Sequence, residues 1–211
     1  MRVAEIFHSI QGESTWAGRP CTFVRLTGCP LRCRWCDTEY AFHGGTEMSQ
    51  AEVLDRVASY GCALVEVTGG EPLAQKECPA LLRELCDRGY SVLLETSGAV
   101  STESVDPRVV TVLDLKCPDS GESERNRWDN LDRLRPQDEI KFVLATRRDY
   151  EWALETVRHR DLARRNTVLF SPVWSQLDPG DLARWVLDDR APVRLQIQLH
   201  KVLFGADVTG V

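Results

Sequence analysis

No run of apolar residues in this sequence approaches the length that crosses a bilayer, so a helical membrane protein is excluded. There is no internal repeat, no low-complexity tract and no linker that would divide the chain. Positive charge is not in excess either. Twenty-six Lys and Arg stand against 32 Asp and Glu, a formal net charge of −6, which argues against a nucleic-acid or membrane-surface binder. The opening MRVAEIFHSIQGES lacks the charged-then-apolar pattern of a secretory signal. A cytoplasmic location is therefore expected, where thiols stay reduced. What is present is ordinary for one soluble domain, expected to span residues 1–211. The sequence is 43% hydrophobic and 27% charged, and such a length buries roughly 70% of its unfolded surface without disulfide staples. Eight cysteines in a reducing compartment then need another explanation.

Short apolar runs alternate with helix-period segments through most of the length. Strands are expected at 21–26, 63–67, 91–95, 109–115, 139–144, 167–171 and 193–199, each bounded by turn residues or charge. Ser49 followed by Glu52 reads as a capping box opening a helix of about ten residues that Gly61 ends. Cys78, Leu82 and Cys86 share one helical face, with Gly89 as the stop. Segments 149–160 and 181–190 have the same amphipathic character, and the polar stretch 118–130 reads as a solvated, mobile connection. Strand–helix–strand alternation predicts a mostly parallel α/β sheet, open or curled into a partial barrel.

The unusual residues fall just after the expected strands: GCPLRCRWCDT, TGGEP, TSG, KCPDS, SPVWSQ and HK. Parallel α/β folds bind ligands at the carboxyl ends of their strands, so these segments are expected to form one composite site. Cys29, Cys33 and Cys36 are spaced C-x3-C-x2-C. Soft thiolates at that spacing select zinc or an iron–sulfur cluster. A structural zinc would want a fourth ligand, for which Cys21 and His43 are the nearest candidates, neither well spaced. A 4Fe–4S cluster normally takes four cysteines, and three leave one iron open to a substrate or cofactor. Cys21, Cys62, Cys78 and Cys86 are read as packing residues, while Cys117, at a strand end, is left between packing and the site.

The Cys29–Cys33–Trp35–Cys36 pattern resembles the signature of the radical S-adenosylmethionine (SAM) superfamily. Thr68–Pro72, TGGEP, resembles the segment with which those enzymes hold the methionine amino group of SAM. The resemblance implies a partial, modified (β/α) TIM-like barrel. It also implies a 4Fe–4S cluster whose open iron chelates SAM, and a 5′-deoxyadenosyl radical that abstracts hydrogen. Glu5–Ser14, Ala17–Arg25, Cys36–Ala41, Leu94–Gly98 and Gln198–Lys201 resemble, almost end to end, the 7-carboxy-7-deazaguanine synthase family. That family is a carbon–nitrogen lyase of 7-deazapurine, queuosine-precursor synthesis. It contracts the ring of 6-carboxy-5,6,7,8-tetrahydropterin with loss of ammonia.

The resemblance implies roles residue by residue. Ile10, Gln11 and Gly12 would present backbone and amide groups to the pterin, and Glu13 would accept from its amino group. Arg25, the only charge in its strand, would hold the substrate carboxylate through two parallel bonds. Thr68, Glu95 and His200 would also meet substrate, and Thr38 would offer its hydroxyl to magnesium. Trp35, Cys36, Asp37, Gly69, Gly70, Glu71, Asp114, Leu115, Lys116, Ser171, Pro172, Val173 and Trp174 would contact SAM, Gly70 by letting it approach closely. Without the family, Thr38 or Asp37 reads as a helix cap and Arg25 as an arginine at a sheet edge.

Arg194, Gln196, Gln198 and His200 alternate with apolar residues, the pattern of a solvent-facing edge strand or of a polar barrel lumen. Their place at a strand end favours the lumen. Two departures from the family stand out: Asp114-Leu115 replaces the usual SP before Lys116, and the tail GADVTGV extends beyond short members whose terminal carboxylate binds substrate. Whether Val211 reaches the site is left open. A homodimer and a flavodoxin- or ferredoxin-type electron donor are implied, with no nucleic-acid or membrane partner. The rival readings are an activase that installs a glycyl radical on a protein partner, which needs a broad docking surface, and a non-catalytic zinc module.

Overall fold

The expected alternation folds into a single nine-stranded sheet wrapped by helices. The structure, a computed structural model, describes residues 1–206 and 208–210. Its strands are β1 (Arg2–Ile10), β2 (Pro20–Leu26), β3 (Thr46–Glu47), β4 (Leu64–Gly69), β5 (Ser91–Thr96), β6 (Val110–Leu115), β7 (Glu139–Leu144), β8 (Thr167–Pro172) and β9 (Arg194–Leu195). They lie in the order β3-β1-β2-β4-β5-β6-β7-β8-β9. From β2 to β9 every neighbouring pair is parallel, whereas β1 runs antiparallel to β2 and β3. The helices are α1 (Gln50–Ser59), α2 (Cys78–Asp87), α3 (Arg147–His159), α4 (Leu162–Arg165), α5 (Pro179–Asp188) and α6 (Leu199–Phe204).

Local chemistry accounts for these elements. Ser49 and Glu52 form the reciprocal capping box that opens α1. α2 turns Cys78, Leu81, Leu82 and Leu85 onto one buried face. One hydrophobic core lies between β1, β2, β4, β5 and the pair α1–α2, and includes Val24, Val67, Val57 and Leu82. A second, with Phe142, Tyr150 and Phe170, lies between β6–β8 and α3–α5. A third fills the inside of the curved sheet with Cys21, Phe23, Leu64 and Leu93, against which Phe7 and Trp16 pack. Each parallel strand thus turns one face to helices and the other to a lumen, which is why its sequence is so largely apolar.

The edges of the sheet are tied together by the turn of the β1–β2 hairpin, residues 11–19. Gly12 O accepts from Leu199 N–H at 2.9 Å, Ser14 N–H donates to Gln196 Oε1 at 2.8 Å, and Thr15 donates to the Glu139 carboxylate. The partial barrel is closed by side chains and a loop, not by a strand ladder.

Three expectations are corrected. β1 was not among the expected strands: its charged and half-buried residues hide the apolar signal. The last strand ends at Leu195 and does not run to Leu199. Pro172 has no N–H to extend the ladder of β8, and Gly12 captures Leu199, where α6 begins. The segment 118–130 is not a loose connection. Short 3₁₀ turns at Pro118–Ser120, Ser123–Arg125 and Trp128–Arg133 are pinned by buried asparagines. Asn126 brackets the backbone of Lys116 through two 2.9 Å bonds, and Asn130 joins Gly98, Val100 and Thr102. Cys117 is settled as a packing residue of the second core.

Candidate active site

The carboxyl ends of the parallel strands open into a cavity of about 620 Å³. The cysteine loop leaves β2 at its rim. Gly28, at φ 99°, makes a turn that its N–H secures to Ala41 O at 2.8 Å. Cys36 N–H donates to Cys33 O, Arg32 Nη1 donates to Cys29 O at 2.8 Å, and Arg34 N–H reaches Ser120 O of the buttressing segment at 3.0 Å. Cys29, Cys33 and Cys36 are free thiols on the cavity wall. Burial pushes Cys29 up and Cys33 to about 11, against the opposing charge of Lys116 in Cys33. Among the described residues no three Cys, His, Asp or Glu side chains converge as a single-ion site. Three thiols bordering one cavity can each meet a separate iron of a 4Fe–4S cluster.

The TGGEP segment is built against that loop. Gly70 N–H donates to Leu26 O at 3.1 Å and Glu71 N–H to Gly28 O at 2.7 Å. A Cβ on Gly69 would collide with the Leu26 backbone, and one on Gly70 with Gly28 and Cys29. Glycine at 70 is therefore required by contact within the protein, while the residue also borders the cavity. Glu71 is revised. Its carboxylate turns inward, accepting from Leu73 N–H, Thr96 Oγ1, Ser97 N–H and Ser97 Oγ. It holds the ends of β4 and β5 together and does not face the cavity. Leu115 points into the second core, and Ser171 and Pro172 are buried off the cavity wall. Alternation leaves Asp114 and Lys116 facing it, and Val173 and Trp174 in the turn after β8 also line it. The Oδ1 of Asp114 is buried without a partner among the described residues, while Oδ2 takes Lys116 Nζ at 2.9 Å.

Deeper in the lumen lies a polar layer above the Phe23–Leu93 plug. Arg25, in the middle of the sheet and not at its edge, donates Nε to Glu5 Oε1 at 2.9 Å. The Tyr40 hydroxyl donates to the same oxygen at 2.7 Å. Burial disfavours the Arg25 charge, but Tyr40 and Glu5 outweigh it and raise its pKa. Gln11 borders the cavity, and its amide is engaged by protein neighbours. Its Nε2 donates to Glu66 and its Oε1 accepts from Glu13 N–H, because two buried polar neighbours claim it first. Burial and the charge of Glu95 push Glu66 well above the usual carboxylate range.

Lys141 stands at the centre, its side chain 5% exposed. Its Nζ reaches Glu13 Oε2 at 2.9 Å, Glu95, and Asp114 Oδ2 at 3.7 Å. Burial pushes Glu13 up, yet Lys141 and the hydrogen bond from Gln198 hold it below its ordinary value; Glu95 stays raised by burial. Lys141, Glu66, Glu5 and Tyr40 were missed by sequence reasoning. The signal that singled out Arg25, a lone charge within an apolar strand, is present in the same form at Glu66 in LVEVTG, and Lys141 in EIKFVL shares its strand with one other charge, Glu139.

The C-terminal segment makes the remaining wall. Lys201 Nζ donates to Asp37 Oδ2 at 2.7 Å, tying α6 to the cysteine loop. Gly12 packs so closely on His200 that a Cβ would stand 2.9 Å from its backbone N. Burial lowers the His200 pKa, with Glu13 opposing. Thr38 precedes a 3₁₀ turn at Glu39–Phe42 without capping it, and its hydroxyl borders the cavity 3.7 Å from Cys36 Sγ. Ile10, Trp35 and Thr68 also line the cavity, as do Ala206 and Val208–Gly210 of the tail; Val211 lies outside the described residues.

A partial parallel barrel with an open-coordinate trio of thiols at its mouth is the architecture of radical SAM proteins. The family model described as the Radical SAM superfamily matches residues 23–114. A 4Fe–4S cluster and SAM are accordingly the cofactors, and the thiol trio and the unpartnered Asp114 Oδ1 fit them. Comparison over the whole chain is more specific. It is 46% identical over 226 residues to the 7-carboxy-7-deazaguanine synthase of Koribacter versatilis, with 100% of both chains covered. It is 46% identical over 214 residues to that of Chlorobaculum tepidum, with 100% of this chain and 97% of the relative covered. The chain belongs to the 7-carboxy-7-deazaguanine synthase family. In fold it resembles the crystal structure of QueE from Escherichia coli, with a TM-score of 0.77, 24% identity and 94% of each chain covered.

Proposed function

We propose that residues 1–211 act as one domain that converts 6-carboxy-5,6,7,8-tetrahydropterin to 7-carboxy-7-deazaguanine with loss of ammonia. The observation that carries this reading is convergence: Arg25, Glu13, Glu95 and His200, from four separate elements, face the same cavity as the three thiols. A cluster held by Cys29, Cys33 and Cys36, with SAM, supplies hydrogen-atom abstraction that begins the ring contraction. Trp35, Asp37, Gly69, Gly70, Asp114, Lys116, Val173 and Trp174 border the space for SAM.

The chain's own groups do the rest. Arg25, its Nε already fixed by Glu5, turns its remaining donors to the substrate carboxylate. Glu13 and Glu95 accept from the amino and ring N–H groups of the pterin, with Thr68 and His200 completing the wall. The backbone at Ile10–Gly12 sets the edge of the pocket, where the Gln11 amide donates to Glu66. The apolar plug beneath keeps water from the floor. Thr38 supplies a hard oxygen for magnesium. A lumen walled by charged side chains suits a small polar substrate, and not a glycyl-radical segment of a protein partner.

Further, a cytoplasmic homodimer served by a flavodoxin- or ferredoxin-type donor accords with this chemistry. Among the described residues no helix is long and apolar enough to cross a membrane. The test is anaerobic cluster reconstitution followed by reductant, SAM and 6-carboxytetrahydropterin. Formation of 5′-deoxyadenosine and the deazaguanine is expected; neither product from cluster-loaded protein refutes the reading. Omitting magnesium should slow the reaction, and Thr38→Ala should abolish that dependence.

A further inference from the structure

We propose that Lys141 is the positioning residue of this pocket, gathering Glu13, Glu95 and Asp114 onto one ammonium and so fixing the two carboxylates that face substrate. The inference rests on the reading that Glu13 and Glu95 meet the substrate. The three partners come from different parts of the fold: Glu13 from the hairpin turn that closes the barrel, Glu95 from the end of β5 and Asp114 from β6. Among the described residues Lys141 alone joins the closing turn to the middle of the sheet by charge. Gln196 and Gln198 donate to Glu13 from the other side, at 3.2 and 3.0 Å, so its position is fixed between β7 and the C-terminal segment.

A simple fold-stabilising role does not explain the arrangement. A buried ion pair is weak evidence for stability, since apolar residues of similar volume hold a core as well or better. The same lumen shows that alternative, for its floor is filled by Phe23, Leu64 and Leu93. The charges also balance in a particular way. Lys116 takes Asp114, and Glu66, bonded to Gln11, is pushed toward its neutral form. Glu13 and Glu95 then share Lys141, leaving an acceptor-rich wall for a donor-rich ligand. Among the described residues the charged or titratable groups facing this cluster are Glu13, Glu66 of β4, Glu95, Asp114 of β6, Lys116 just after it, Arg25 of β2, Asp37 of the cysteine loop, and His200 and Lys201 of α6.

The test compares Lys141→Met and Lys141→Arg with wild type, all cluster-loaded. Losing one partner of a buried, bonded charge pair should raise the substrate KM on the order of 100-fold. The fall in kcat should be smaller, and the acid limb of kcat/KM should move to higher pH; Arg should restore most of both. A second readout needs no substrate. Without Lys141 the buried carboxyls bind protons more readily folded than unfolded, so stability rises as pH falls. The melting-temperature deficit of K141M should therefore narrow between about pH 9 and pH 6. Lys141→Gln replaces Met if the latter does not fold. Unchanged KM and an unmoved acid limb overturn the proposal, as does a pH-independent melting deficit that Arg does not repair. If wild type neither binds nor converts the pterin, the substrate reading fails, while the melting series still decides the role of Lys141 in holding these carboxylates.

Discussion

Gly70→Ala tests how the SAM segment and the cysteine loop are joined. A Cβ at residue 70 stands 2.8 Å from Cys29 Cβ and from the carbonyl carbon of Gly28, and nearer still to Gly28 O. Ordinary contact begins at 3.4 Å and Gly28 O would stand at 2.4 Å, so the two segments must part by about 1 Å there. Nothing flexible can swing aside, because the obstacles are backbone and the Cβ of a cluster residue. The hydrogen bonds from Gly70 N–H to Leu26 O and from Glu71 N–H to Gly28 O oppose the separation. Overpacking of this kind costs about 1–3 kcal/mol, or roughly 3–10 °C in Tm for a chain of this length. A misplacement approaching 1 Å at a reacting centre costs up to about 100-fold, so turnover should fall roughly 10- to 100-fold. Iron content, Tm and the rate of 5′-deoxyadenosine formation are measured on one preparation. Ser49→Ala is the control: it removes the α1 cap for about 1 kcal/mol at a distance from the site and should leave turnover alone. If Gly70→Ala keeps wild-type turnover and Tm, the packing account of this glycine is wrong.

Three further outcomes follow from named contacts. Glu71→Gln breaks a carboxylate network among Leu73, Thr96 and Ser97; losing charge-assisted bonds worth about 1.5–3 kcal/mol each should lower Tm by at least about 4 °C, and an unchanged Tm would contradict the assignment. His200 is depressed by burial, so the unfolded chain binds its proton first and stability falls as pH drops through about 6.5. Replacing it with Gln should flatten that limb of a Tm–pH curve; an identical curve would show that His200 does not contribute. Arg25→Lys loses the fork that Glu5 orients and should raise the pterin KM about 10- to 100-fold more than it lowers kcat. A purely kcat effect would remove Arg25 from substrate binding.

The parallel strands were legible because burial on both faces makes them nearly continuous apolar runs, and α1 because its capping box is a four-residue local event. The C-x3-C-x2-C and TGGEP motifs were legible for the same reason: their chemistry is set by close neighbours in the chain. β1 was not, since an antiparallel strand at the flank of the sheet can carry Glu5 on a half-buried position and His8 on an exposed one. The segment after β6 read as solvated because its composition is polar, yet Asn126 and Asn130 are spent inside. Glu66 and Lys141 carried a readable signal, a charge inside an apolar strand, but their meaning depends on partners far away in the chain.

Sequence alone determined the class of chemistry and the order of the elements, because ligand spacing, capping and strand periodicity are short-range properties. Tertiary structure decided which residues face one another across the lumen. It turned Glu71 inward, packed Gly70 against Gly28 and Cys29, tied the Gln11 amide to Glu66 and brought Lys141 to Glu13, 128 positions earlier in the chain. Those outcomes depend on how a curved sheet and its closing hairpin bring distant side chains into a low-dielectric space, where each buried charge must find a partner.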